Sequence, residues 1–164
     1  MNPSKLMALQ TAHPADLMSA GHSTKQPEVD AMIAAGMAAG MPRIQWCALR
    51  WIYCNDVGML EELREELLSE AMNIQAMENW TDPENEIVEA FVDMALAESA
   101  SHSQRTVVYG FGAIKTEADR YRWMGWHESR WGRWKRKYSA VYCVLRDWEN
   151  EGYRYLIRAQ RDEI

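Results

Sequence analysis

Few of the residues that announce an enzyme or a metalloprotein are present in this chain. It has only three cysteines and four histidines in 164 residues. Cys47, Cys54 and Cys143 keep no metal-ligand spacing, and their odd number leaves one thiol over in any disulfide scheme. Buried free thiols are therefore expected. His13, His22, His102 and His127 fall in different segments, so no zinc site is expected from local spacing. A Gly-rich phosphate loop, a nucleophile motif and a cluster of metal ligands are all missing, which makes an enzyme the least favoured class and leaves no cofactor to expect. No run of about eighteen apolar residues occurs, and the N-terminus lacks the basic-then-apolar layout of a signal peptide. The expectation is a soluble, cytoplasmic protein with no membrane partner.

Basic residues are scarce too, but only in the first part of the chain. The net charge of −6 hides a segregation of signs. Residues 1–104 carry 5 basic and 16 acidic residues, a net of −11, whereas residues 105–164 carry 13 and 8, a net of +5. Such asymmetry points to a nucleic-acid partner for the basic part, with the acidic part repelling phosphates and restricting docking to one side. The competing reading is a basic surface paired with the acids of its own chain.

Hydrophobic periodicity predicts an all-α fold of six or seven helices. The division expected is a flexible segment over 1–26, an acidic helical domain over 27–100 and a basic domain over 105–164. A turn of helix at Ser4 to Leu9 is allowed in the first. In the second, Val29, Met32, Ile33 and Met37 mark one helix after Pro27, and Ile44, Cys47, Leu49, Trp51 and Ile52 mark a helix buried around most of its circumference. Met59, Leu60, Leu63, Leu67, Ala71, Met72 and Ile74 form an apolar stripe opposite Glu61, Glu62, Glu65, Glu66 and Glu70. Thr81 and Glu84 have capping-box spacing before a helix to about Ser99, buried through Ile87, Val88, Phe91, Val92, Ala95 and Leu96. The run TVVYGFG reads equally as a short strand or as a helix end and turn.

The basic part holds the strongest motif, in KTEADRYRWMGWHESRWGRWKRKY. Thr116 can cap a helix that carries Tyr121, Met124 packs on its end, Gly125 turns the chain, and Trp126, Trp131 and Trp134 hold a second helix down. This is a helix-turn-helix. The second helix is long, basic and Trp-rich, with Trp131, Trp134, Tyr138, Val141, Leu145 and Trp148 in steps of three and four. With that stripe inward, His127, Glu128, Ser129, Arg130, Gly132, Arg133, Arg136 and Lys137 face outward or flank the outer face, where such a helix meets the major groove of double-stranded DNA. Lys115, Arg120 and Arg122, before and along the first helix, are expected at phosphates. Gly132 weakens a helix by about 1 kcal/mol, which suggests a close approach of its backbone to a neighbouring helix or to DNA. An echo occurs earlier, where Gly40, Trp46 and Leu49 repeat the offsets of Gly125, Trp131 and Trp134. It is read as a second such turn used for packing, or as coincidence.

The stretch VVYGFGAIKTEADRYRWMGWHESRWGRWKRKY resembles the region-4-like helix-turn-helix of sigma factors and of phage late-gene antitermination proteins of the Q type. Val107, Val108, Tyr109 and Gly110 correspond to the apolar lead-in, and Met124, Gly125 and Trp131 to the buried motif positions. Tyr121 departs from the small residue expected at its place, and the zinc-binding cysteine insertion of some antiterminators is absent. The resemblance implies a transcription regulator that binds DNA near a late promoter and modifies RNA polymerase, with the helix over Met59 to Ile74 as a polymerase-facing or packing surface. A homo-oligomer is compatible with it. Two other readings stand beside it: a phage packaging or replication accessory DNA-binding protein, and a helical protein-interaction module without nucleic acid.

Overall fold

The computed structural model describes residues 26–38, 40–54, 56–80, 85–100 and 114–162. These residues form six α-helices, α1 (Gln26–Ala38), α2 (Arg43–Cys54), α3 (Leu60–Glu78), α4 (Asn85–Ser99), α5 (Glu117–Met124) and α6 (Glu128–Asp162), with a short 3₁₀ turn at Val57–Met59. Among the described residues there is no strand, so the fold is all-α as expected. No described helix is long and apolar enough to cross a membrane. The turn at Ser4 to Leu9, the Thr81 and Glu84 cap and the TVVYGFG run lie outside the described residues.

Contacts gather the chain into two compact units, grouped differently from the division expected at residues 100–105. One unit comprises α1, α2, the 3₁₀ turn and the part of α6 from Trp148 onward; the other comprises α3, α4, α5 and the part of α6 up to Asp147. The final helix therefore contributes to both cores. Periodicity could not show this, because an unbroken stripe carries no mark of where its packing partner changes.

In the first unit Ile33, Met41, Leu49 and Leu156 make a core, with Trp46, Tyr53, Cys54 and Tyr155 packed against it. Tyr53 donates its hydroxyl to the buried carboxylate of Glu149 at 2.6 Å. The echo between the two Gly-centred turns proves geometrical. At Gly40 and at Gly125 the backbone adopts positive φ, 94° and 66°. Each turn closes with the same pair of bonds: Gly40 N–H to Met37 and Met41 N–H to Gly36, then Gly125 N–H to Arg122 and Trp126 N–H to Tyr121. This is the Schellman closure, which needs a left-handed residue that glycine adopts without strain. Two residues on, the carbonyls of Pro42 and His127 open the following helices through Trp46 and Trp131. The likeness stops at the surface. The α2 positions Cys47, Ala48 and Trp51 are fully buried, whereas their α6 counterparts Gly132, Arg133 and Arg136 are exposed. Thus α2 is a packing helix.

In the second unit Leu63, Leu67 and Ala71 of α3 are buried, but Met72, expected in the stripe, is 38% exposed and Met77 82%. The α4 face is buried as expected, with Met94 and Ala97 added. Of the cysteines, only Cys47 is buried; Cys54 is half-buried and Cys143 exposed, which corrects the expectation of buried thiols. Cys143 lies two residues beyond Val141, on the opposite side of the helix.

Candidate nucleic-acid interface

The N-terminus of α5 is built by a capping box. Thr116 Oγ1 accepts from Asp119 N–H at 3.2 Å, and the Asp119 carboxylate accepts from the N–H groups of Lys115 and Thr116 at 2.9 and 3.0 Å. Those two backbone bonds hold the Asp119 carboxyl below its ordinary pKa of 3.8. No residue of α5 is fully buried. Tyr121 and Met124 are half-buried, so the motif's first helix lies lightly on the core rather than forming it.

What fixes the second helix is aromatic packing. Trp131, Trp134, Tyr138, Val141 and Leu145 are buried, as the stripe predicts. Trp148 is only half-buried, and Glu149, Gly152 and Leu156 take over the inward face. An α-helix drifts about 20° for each seven-residue repeat, so Trp134, Val141 and Trp148 cannot all point the same way. Phe91 of α4 sits among the rings: Tyr138 is 5.6 Å away centre to centre and Trp126 and Trp134 are each at 6.0 Å, all edge-on. Such offset geometry is the favourable one for ring quadrupoles. Trp131 and Trp134 are core.

With that face anchored, the polar residues of the helix start stand outward. His127, Glu128, Ser129, Gly132, Arg133 and Arg136 are exposed, and Arg130 and Lys137 half-buried. Helix α6 is unbroken at Gly132. Arg130 lies 4.3 Å over the Trp126 ring, and the Lys137 ammonium 4.3 Å over Trp134. Both cations are thus positioned by rings instead of neutralised by acids. Among the described residues no carboxylate pairs with Arg133 or Arg136. His127 Nδ1 accepts from Ser129 N–H at 3.2 Å and meets its hydroxyl at 3.0 Å, closing the first turn.

The cations before and along α5 divide. Lys115 is exposed, and Arg122 keeps 68% of its side chain in solvent with only a 3.6 Å approach to Asp119. Arg120, expected at a phosphate, is instead committed to the fold. Its Nε donates to Glu98 at 3.2 Å, its Nη2 donates to the same carboxylate, and the Tyr138 hydroxyl donates there as well. Glu98 was not picked out by sequence, because its partners stand 22 and 40 residues away. Lys135 was passed over too; it is exposed, 3.9 Å from Glu117 of α5.

Burial, reinforced by the Glu98 charge, pushes the Tyr138 phenol well above its ordinary value of 10.0. A folded-state pKa above the unfolded one gives stability that is complete below about pH 10 and is lost as pH rises beyond it. Thermal unfolding midpoints are accordingly expected to fall from about pH 10 upward, and Tyr138→Phe to flatten that decline. An equally steep decline in the variant would assign it elsewhere.

No family model, curated protein or solved structure matches the chain.

Proposed function

We propose that this protein is a sequence-specific DNA-binding transcription regulator that lays the first turns of α6 in the major groove. The observation that carries this reading is the exposed face of Arg133 and Arg136, two cations without a carboxylate partner among the described residues, on a helix start pinned from behind by tryptophans. Arginine reads guanine bidentately, and Arg130, Lys137, Lys115 and Arg122 stand where phosphates flank such a helix. Glu128 and Ser129 add an acceptor and a hydroxyl for base edges. The alternative of a basic face neutralised by its own chain accounts for Arg120 but not for these residues. In its sharpest form the protein is an antitermination factor of phage type that modifies RNA polymerase, a version supported by the resemblance of the segment through Met124, Gly125 and Trp131. Co-elution with RNA polymerase tests that version, and its absence returns the protein to a DNA-binding accessory role.

Gly132 supplies the direct test. A Cβ placed there meets nothing within 4 Å, so none of the described helices needs the space. Gly132→Ala is expected to stabilise the fold by about 1 kcal/mol while weakening duplex binding, measured by fluorescence anisotropy over a range of salt. Wild-type affinity should fall steeply with salt as phosphate neutralisation requires. Absence of salt-sensitive duplex binding by the wild type would dispose of the proposal, and unchanged affinity in Gly132→Ala would mean that this backbone stays clear of DNA.

A further inference from the structure

A recess of about 340 Å³ opens within the first unit, lined by Gly40 and Gln45 together with Glu151, Arg154, Tyr155 and Arg158 of α6. Arg154 and Arg158 stand four residues apart, so their side chains are neighbours on one face of the helix, and both are exposed. Among the described residues neither pairs with a carboxylate. The acid that lines the recess, Glu151, is engaged from α2, where the Gln45 amide donates to it at 2.9 Å.

Two like charges at this spacing weaken a helix unless something neutralises them. The helix dipole favours a cation in the final turn, which accounts for Arg161. That effect fades within the turn, so it does not account for Arg154 and Arg158. The turn at Gly40 has the backbone closure of the turn at Gly125, yet α2 has no base-reading face, because Cys47, Ala48 and Trp51 are buried. Positive charge without a reading helix suits a phosphate backbone, which arginine meets through paired N–H donors. A duplex also suits exposed cations better than a small anion does, because each neutralised phosphate releases condensed counterions.

We propose that Arg154 and Arg158 hold the phosphate backbone of the DNA duplex, a contact separate from the groove-reading face that adds affinity and no sequence preference. It rests on the reading of the protein as a duplex binder, and none of its residues belongs to the start of α6.

Salt titrations of duplex binding by fluorescence anisotropy, on the full-length chain, test it. An Arg154→Gln, Arg158→Gln chain should lose about two from the logarithmic salt slope, so that its loss of affinity between about 50 and 200 mM salt is about tenfold smaller than that of the wild type. Its preference among duplex sequences should be unchanged, since phosphates carry none, and so should its thermal midpoint. An Arg154→Lys, Arg158→Lys chain keeps both charges and should keep the wild-type slope. A wild-type slope in the Gln chain, or an altered sequence preference, overturns the contact. The Arg133→Ala, Arg136→Ala chain, measured alongside, separates the two readings. Full affinity there removes the groove assignment and leaves this contact standing, whereas an unaltered slope in the Gln chain leaves the groove standing without it.

Discussion

A chain carrying both Arg133→Ala and Arg136→Ala is expected to bind its preferred duplex about a hundredfold more weakly. An arginine that reads a base contributes roughly 1–3 kcal/mol, so two of them contribute about 3 kcal/mol at a conservative estimate. The shape of the loss separates two roles. If the side chains read bases, discrimination between duplex sequences collapses at two positions. If they hold phosphates, the loss is uniform and the dependence on salt becomes shallower, by about one per contact in the logarithmic slope. Stability should not change, because both side chains are exposed and without an ion-pair partner among the described residues. Thermal melts beside the binding curves make that comparison. Full affinity in the double variant would end the assignment of α6 to the groove.

Glu98→Ala is expected to destabilise the second unit by about 3 kcal/mol. Glu98 keeps 9% of its side chain exposed and Arg120 24%, and the carboxylate accepts from Arg120 on α5 and from Tyr138 on α6. Removing it strands a partly buried guanidinium and a buried phenol together. Deleting one partner of a buried pair costs about 3–5 kcal/mol, and the partial exposure of Arg120 places this case at the low end. Arg120→Ala leaves the Tyr138 bond in place and should cost less. Urea unfolding of the three chains orders them, and a Glu98→Ala chain within error of wild type would show the tie to be ornamental. The same variant should weaken duplex binding without touching an exposed cation, since the tie joins both helices of the motif to α4.

Much of the architecture was legible because helical periodicity reports which face of a segment must leave water. The inward stripe of α6 from Trp131 to Leu145 and the buried face of α4 stand where spacing put them. Local turn chemistry was equally readable: Thr116 caps α5, and Gly125 closes it in the left-handed region. Met72 failed the same reasoning because it stands about 100° round the helix from the buried Ala71, off the face that Leu63, Leu67 and Ala71 share. Trp148 failed through the drift of the helix against a seven-residue repeat.

The candidate interface was only half readable. Sequence places cations near the start of a helix, but it cannot say which of them an acid from elsewhere in the chain will claim. Arg120 and Arg122 are neighbours on α5, yet Glu98 takes the first and solvent keeps most of the second. Likewise Gly40 and Gly125 close the same kind of turn, each with a tryptophan six residues on, and burial separates α2 from α6.

The sequence by itself determined the helical fold, the capped turn at Gly125 and the segregation of positive charge toward the C-terminus, since the first two follow from interactions between residues a few positions apart and the third from residue order alone. Tertiary structure decided which cations remain outward, which helix of the two similar turns keeps a solvent face, and that α6 serves two cores. Those outcomes depend on contacts between residues far apart in the chain, for which local spacing carries no signal.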